Sequence, residues 1–117
     1  MRVLVTGGTG FLGTHLVKLL LKKGLQVRVL ARSAGDEAEV DWRRGSILNS
    51  DALVEAMSGC DAVYHLAGRV DRDRRQYHAL RQLHVEGTRM VCEAALKQGV
   101  SRVVYASTSG IIGVSTT

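Results

Sequence analysis

Gly7, Gly10 and Gly13 recur at every third position within Thr6-Gly7-Gly8-Thr9-Gly10-Phe11-Leu12-Gly13. That spacing suits a bound phosphate. Gly7 supplies the dihedrals of a tight turn. Gly10 has no Cβ, so a pyrophosphate can approach the backbone, and Gly13 lets a following helix lie close to the preceding strand. The unpaired N–H groups that open the helix face the phosphates, with Thr9, Phe11 and Leu12 completing the loop. A second anion-binding feature is Leu30-Ala31-Arg32-Ser33, where no acid occurs before Asp36. A guanidinium binds a phosphate through two parallel hydrogen bonds, and the Ser33 hydroxyl stands beside it. A surface arginine stacking on a base is the alternative role. A third feature is Ser107-Thr108-Ser109, hydroxyls that follow an apolar run. On residue types alone it reads equally as a polar turn. His15, His65 and His78 are dispersed and suggest no metal site.

The elements that must position these groups are legible from periodicity. Arg2 to Thr6, Gln26 to Ala31, Val40 to Arg44, Asp61 to Ala67 and Arg102 to Ala106 are predicted strands. Gly13 to Lys23 is a predicted helix, with Lys22 and Lys23 in the last turn, where the helix dipole favours cations. Asn49 or Ser50 can cap a short helix that runs through Met57. From about Tyr77 to Gln98 apolar residues recur at helical spacing, and Gly87 on that face allows close approach to a sheet. Strands alternating with helices predict βαβ units and a parallel sheet. The nearly continuous apolar strands agree, because parallel strands are buried on both faces. The fold class expected is α/β, a doubly wound parallel sheet of Rossmann type, ending after its fifth strand.

Composition sets outer limits. In 117 residues, 45% hydrophobic and 23% charged, there is one domain with a real core. No apolar run approaches the roughly 20 residues of a membrane span, and the expected location is the cytoplasm. Cys60 and Cys92 have no metal-ligand spacing, so two free thiols are expected. The net charge of +5 is spread. Its densest stretch, Arg69 to Arg75, contains Asp71 and Asp73 and has no aromatic stacking set, which argues for a solvated face rather than nucleic-acid binding.

The glycine segment resembles the extended short-chain dehydrogenase/reductase superfamily, which includes NAD-dependent epimerases and dehydratases and dihydroflavonol-reductase-like proteins. Thr6 to Gly13 matches the TGxxGxxG pattern of that branch at every fixed position. The similarity continues through His65-Leu66-Ala67-Gly68, Val85-Glu86-Gly87-Thr88 and Val103 to Ser109. It implies a dinucleotide on the glycine-rich turn, with Leu66, Ala67 and Gly68 passing under a ribose. Arg32 and Ser33 at the end of the second strand favour NADP(H), with NAD as the alternative, because a cofactor with a free 2′-hydroxyl usually meets an acid there. The family often has Asp-Leu or Asp-Ile after the third strand, holding the adenine amine. Here Ser46-Ile47 stands in that place, a weaker acceptor with a pocket wall beside it. His84 replaces a usual Asn, to hydrogen-bond the same groups or to titrate near neutral pH.

The resemblance assigns Thr108 to the substrate oxygen. Hydride transfer also needs a proton donor at that oxygen, for which the family uses Tyr-x3-Lys. The fourth neighbours of Tyr64, Tyr77 and Tyr105 are Gly68, Arg81 and Ser109, so that pair does not occur in these residues. The expectation is therefore the cofactor-binding portion of an oxidoreductase acting on a secondary alcohol or ketone. A nucleotide-sugar epimerase/dehydratase is one alternative and a non-catalytic dinucleotide-binding module another. The small-molecule substrate would belong to the full-length protein, whose C-terminal substrate-binding part lies outside residues 1–117. A last expectation is that the fifth strand is left as an open apolar edge, through which two copies could pair.

Overall fold

The computed structural model describes residues 1–7, 11–66, 85–106 and 112–116. In chain order the elements are β1 (Arg2–Thr6), α1 (Phe11–Lys22), β2 (Gln26–Ala31), β3 (Asp41–Arg44), α2 (Ser50–Ala56), β4 (Ala62–His65), α3 (Gly87–Gln98), β5 (Arg102–Ala106) and β6 (Ile112–Thr116). Strands β1 to β5 are parallel, and the sheet order is β3-β2-β1-β4-β5-β6. The first strand of the chain is thus central, and the order reverses between β1 and β4. This is the doubly wound α/β arrangement expected from the alternation of apolar runs.

Side-chain alternation divides the core. Leu4, Leu30, Val63 and Val103 face α2 and α3, where they meet Leu53, Met57, Val91 and Ala95. Val3, Val5, Val27, Val29 and Ala62 face the other way, towards Val17 and Leu20 of α1. Both faces of the central strands are covered, which is why those strands read as unbroken apolar runs. Asn49 caps α2, its side chain accepting from the Ala52 N–H at 3.1 Å. Gly99 ends α3 in the left-handed conformation, φ 68°. Gly87 brings α3 close to Ile47, on the connection that follows β3: a Cβ there would lie 2.6 Å from the Ile47 Cδ1.

Element ends differ from the expected ones by a residue or two. Helix α1 begins at Phe11 rather than Gly13, since the loop's last residues already have helical backbone. Strand β4 is shorter than expected, Ala62–His65. The first half of the helix expected from Tyr77, and Arg69 to Arg75, lie outside the described residues. One expectation is overturned. Strand β5 is not an open edge, because β6 pairs with it antiparallel from Arg102↔Thr116 to Ala106↔Ile112. Strand β6 supplies within the same chain the backbone partners that a second copy would have offered to β5. A homodimer through the edge of β5 therefore loses its basis.

A buried arginine ties the outer strands to α2. Arg28 is 5% exposed, in the middle of β2. Its Nε donates to Asp41 Oδ2 at 3.0 Å, and its Nη1 donates to the carbonyl oxygens of Ala56 and Ser58 at 2.7 and 2.8 Å. These carbonyls end α2, where the helix dipole favours a cation. Asp41 also accepts from Arg43 Nε at 3.1 Å. The Arg43 hydrogen bond, reinforced by Arg28, holds the Asp41 carboxyl below its ordinary value of 3.8. A carboxyl whose value is lowered in the fold stabilises the protein above its unfolded value and loses that contribution as pH falls through the folded one. Asp41 is half-exposed, so its share is below about 1 kcal/mol. Asp41→Asn should accordingly remove a small acid-dependent component of stability, seen as a shallower fall in the urea midpoint below about pH 4. An unchanged profile would dismiss the role of Asp41. Cys60 and Cys92 are both free thiols, and burial pushes the Cys60 thiol above its usual range.

Candidate functional site

The carboxyl ends of the parallel strands bring those expected binding residues that are described to one side of the sheet. Thr6 ends β1 fully buried, and Gly7 follows with φ 78°, a conformation open to glycine and strained for other residues. Phe11 opens α1, and Gly13 is buried in its first turn. The strand end, the left-handed glycine and the helix N-terminus thus occur in the order a phosphate turn requires. Gly8, Thr9 and Gly10 lie outside the described residues. Leu12 is 56% exposed at the start of α1.

Arg32 and Ser33 leave β2 exposed. On the neighbouring strand, Arg44 Nε donates to the Arg32 carbonyl oxygen at 3.1 Å. Ser46 is half-buried and its hydroxyl oxygen accepts from the Leu48 N–H at 3.1 Å. That turn-forming bond occupies part of the acceptor capacity that an adenine amine would need. Ile47 is 7% exposed and belongs to the core cluster beneath the strand ends. It supports the site's floor more than it lines an open pocket. Leu66 is half-buried beyond β4, its N–H donating to the Thr6 carbonyl oxygen at 3.0 Å. Ala67, Gly68, His84 and Thr108 lie outside the described residues.

Between β1 and β4, at the reversal of strand order, His65 is almost wholly buried. Its Nδ1 lies 2.7 Å from Thr6 Oγ1, and its Nε2 lies 3.3 Å from Thr88 Oγ1 in α3. Its ring stacks on Tyr105 of β5, with centroids 5.5 Å apart. One imidazole therefore joins the strand entering the phosphate turn to α3 and to the strand leading to Ser107-Thr108-Ser109. The residue types alone showed a lone histidine at a strand end, and its neighbours come from three distant elements. Arg44 was missed as well. Its only local signal is the tandem Arg43-Arg44 before Gly45.

A cleft of about 300 Å³ beside α1 is lined by Thr14, Lys18, Asp36, Glu37 and Trp42. The larger cleft, about 430 Å³, opens at the opposite end of the strands, near Arg2, Gln26 and Asp41. Size favours that second recess. Its lining includes the turn at Gly24, which ends α1 rather than opening a helix, so the carboxyl end keeps the functional assignment. Among the described residues no three His, Cys, Asp or Glu side chains are grouped to hold a metal. No described helix is long and apolar enough to cross a membrane.

A doubly wound sheet with a glycine turn at its switch point defines a nucleotide-binding α/β protein. Comparison with known proteins gives the family. Residues 3–117 match the model of the NAD dependent epimerase/dehydratase family, and the chain belongs to that family. It is 39% identical over 115 residues to a putative dihydroflavonol 4-reductase of Synechocystis sp., covering 94% of this chain and 33% of the relative. A solved short-chain dehydrogenase/reductase superfamily protein from Agrobacterium tumefaciens, with bound NAD, superposes with a TM-score of 0.84 at 31% identity. The match covers 93% of this chain and 33% of that one. UDP-N-acetylglucosamine 4-epimerase from Bacillus cereus gives 0.79 at 29% identity, covering 92% and 37%. The chain thus spans about a third of the length of such relatives. The resemblance carried by Thr6 to Gly13 and the later motifs holds, and a nicotinamide dinucleotide is the cofactor it points to.

Proposed function

We propose that residues 1–117 are the NADP(H)-binding portion of a cytoplasmic reductase or dehydrogenase acting on a secondary alcohol or ketone. The observation that carries this reading is the end of β2. Arg32 is exposed there and no carboxylate precedes Asp36. A carboxylate would accept from a free ribose 2′-hydroxyl and repel a 2′-phosphate, whereas a guanidinium does the reverse. The Synechocystis relative, named as a reductase, supports the direction of the chemistry.

The cofactor, when bound, supplies or takes the hydride. The glycine turn and the start of α1 would hold its pyrophosphate, and Arg32 with Ser33 would take the adenosine end. On this reading Leu66, Ala67 and Gly68 would contact a ribose, and Ser46 with Ile47 would border the adenine. Thr108 hydrogen-bonds the substrate oxygen that gains or loses a proton. The Tyr-x3-Lys that moves this proton is not among these residues. The 117-residue polypeptide should therefore bind a dinucleotide without turning over an alcohol or ketone.

A second reading, an NAD-using epimerase or dehydratase, is favoured by the likeness to the Bacillus cereus epimerase and to the NAD-bound Agrobacterium protein. Calorimetric titration with NADP⁺ and NAD⁺ separates the two. The proposal expects NADP⁺ to bind at least about tenfold tighter, the value of one added charge-assisted hydrogen bond. Preference for NAD⁺ would move the assignment to the second reading.

A further inference from the structure

Arg44 closes β3 and is in register with Ala31 of β2. The Gly45 N–H donates to the Ala31 carbonyl oxygen at 2.9 Å, so the two strand ends are held together by backbone. Arg44 Nε then donates to the Arg32 carbonyl oxygen at 3.1 Å. Two arginines are thus joined at the carboxyl ends of adjacent strands, both exposed. Among the described residues Arg28, Arg43 and Arg89 each pair with a carboxylate. Arg32 and Arg44 form no such pair there. Two exposed cationic side chains at adjoining strand ends, neither paired with a described carboxylate, make this corner of the sheet attractive to an anion.

We propose that Arg44 is a second specificity-determining residue, sharing with Arg32 the 2′-phosphate of the adenosine ribose. The inference rests on the NADP(H) reading above and adds a residue that the end of β2 alone does not indicate. Its Nε is committed to the Arg32 carbonyl, which leaves both terminal nitrogens as donors. A phosphate monoester presents three oxygens, enough for two guanidinium groups at once. The dinucleotide's pyrophosphate is already placed at the glycine turn after β1. The phosphate reaching β2 and β3, one and two strands further out, is the one on the ribose.

The test compares four ligands on the purified protein: NADP⁺, NAD⁺, 2′,5′-ADP and 5′-AMP. Arg44→Gln should weaken NADP⁺ and 2′,5′-ADP about tenfold and leave NAD⁺ and 5′-AMP within about twofold. Arg44→Lys keeps the charge but loses the fork, and should cost about threefold. Retained NAD⁺ affinity shows that each variant is folded. Equal weakening of all four ligands would make Arg44 a structural residue and overturn the proposal, as would no change in any. Arg32→Gln keeps the two levels apart. If it weakens NADP⁺ while Arg44→Gln does not, the NADP(H) reading stands and the role of Arg44 falls. If the unmodified protein binds NADP⁺ no tighter than NAD⁺, both fall.

Discussion

Arg32→Asp is expected to weaken NADP⁺ about a hundredfold while NAD⁺ binds as well as before or better. Two effects add. Removing the guanidinium deletes a charge-assisted hydrogen bond to phosphate, about 1.5–3 kcal/mol. Adding a carboxylate beside a phosphate dianion costs a further ~1 kcal/mol at an exposed site. Together they reach about 3 kcal/mol, two orders of magnitude in affinity. The same carboxylate can accept from the free 2′-hydroxyl of NAD⁺. The cofactor preference should therefore invert rather than merely shrink. Arg32 is exposed and outside the core clusters, so folding should not confuse the result. Titration of both cofactors against both proteins is the measurement. A parallel loss of NADP⁺ and NAD⁺ would instead place Arg32 on the adenine ring, where either cofactor would meet it.

Arg28→Met should lower stability by about 2–3 kcal/mol, or about 10 °C in melting temperature for a domain of this size. Methionine has a suitable length and shape, and it abolishes a buried charge, which by itself is neutral or favourable. The loss comes from the groups left behind. The buried Ala56 carbonyl loses its strong donor and keeps only the weak Cys60 thiol at 3.6 Å, while the Ser58 carbonyl, on an exposed residue, turns to water. An unsatisfied buried acceptor costs about 1–3 kcal/mol. Asp41, half-exposed, returns to water at little expense. The asymmetry is testable, because Asp41→Asn should cost under about 1 kcal/mol by the same urea titration. Equal losses in the two variants would mean that the ion pair, not the helix end, is what Arg28 serves. Dinucleotide affinity of the folded Arg28→Met protein should be unchanged, since Arg28 borders the recess opposite the glycine turn.

The parallel strands and their helices were legible because burial on both faces leaves apolar runs, and because Gly24, Gly59 and Gly99 mark where helices stop. The order of strand end, left-handed Gly7 and helix start was legible for a related reason: its demands are local, met by successive residues of one segment. What escaped the sequence depends on distant partners. Strand β6 has the short, glycine-interrupted sequence Ile-Gly-Val-Ser-Thr, and periodicity carries no direction, so its antiparallel return onto β5 had no signature. Arg28 looked like an ordinary charge in a strand, while two of its acceptors lie 28 and 30 positions away. His65 draws Thr6 from 59 positions before it and Thr88 from 23 after it. Ser46 was read as a ligand for adenine, and its bond to the Leu48 N–H shows a turn role that competes with that use.

Of the described strands β1 is made before the others and sits at the centre. Its register with β2 needs residues only as far as Leu30, but its other edge waits for Ala62 to His65. At ribosomal rates of about 5–20 residues per second, that gap lasts seconds. During it, one of the most apolar segments of the chain offers an unpaired row of amides and carbonyls, a template for wrong partners. The nascent protein's vulnerable period is thus set by sheet order, and early release of a chain ending before β4 should yield aggregates rather than a smaller folded domain.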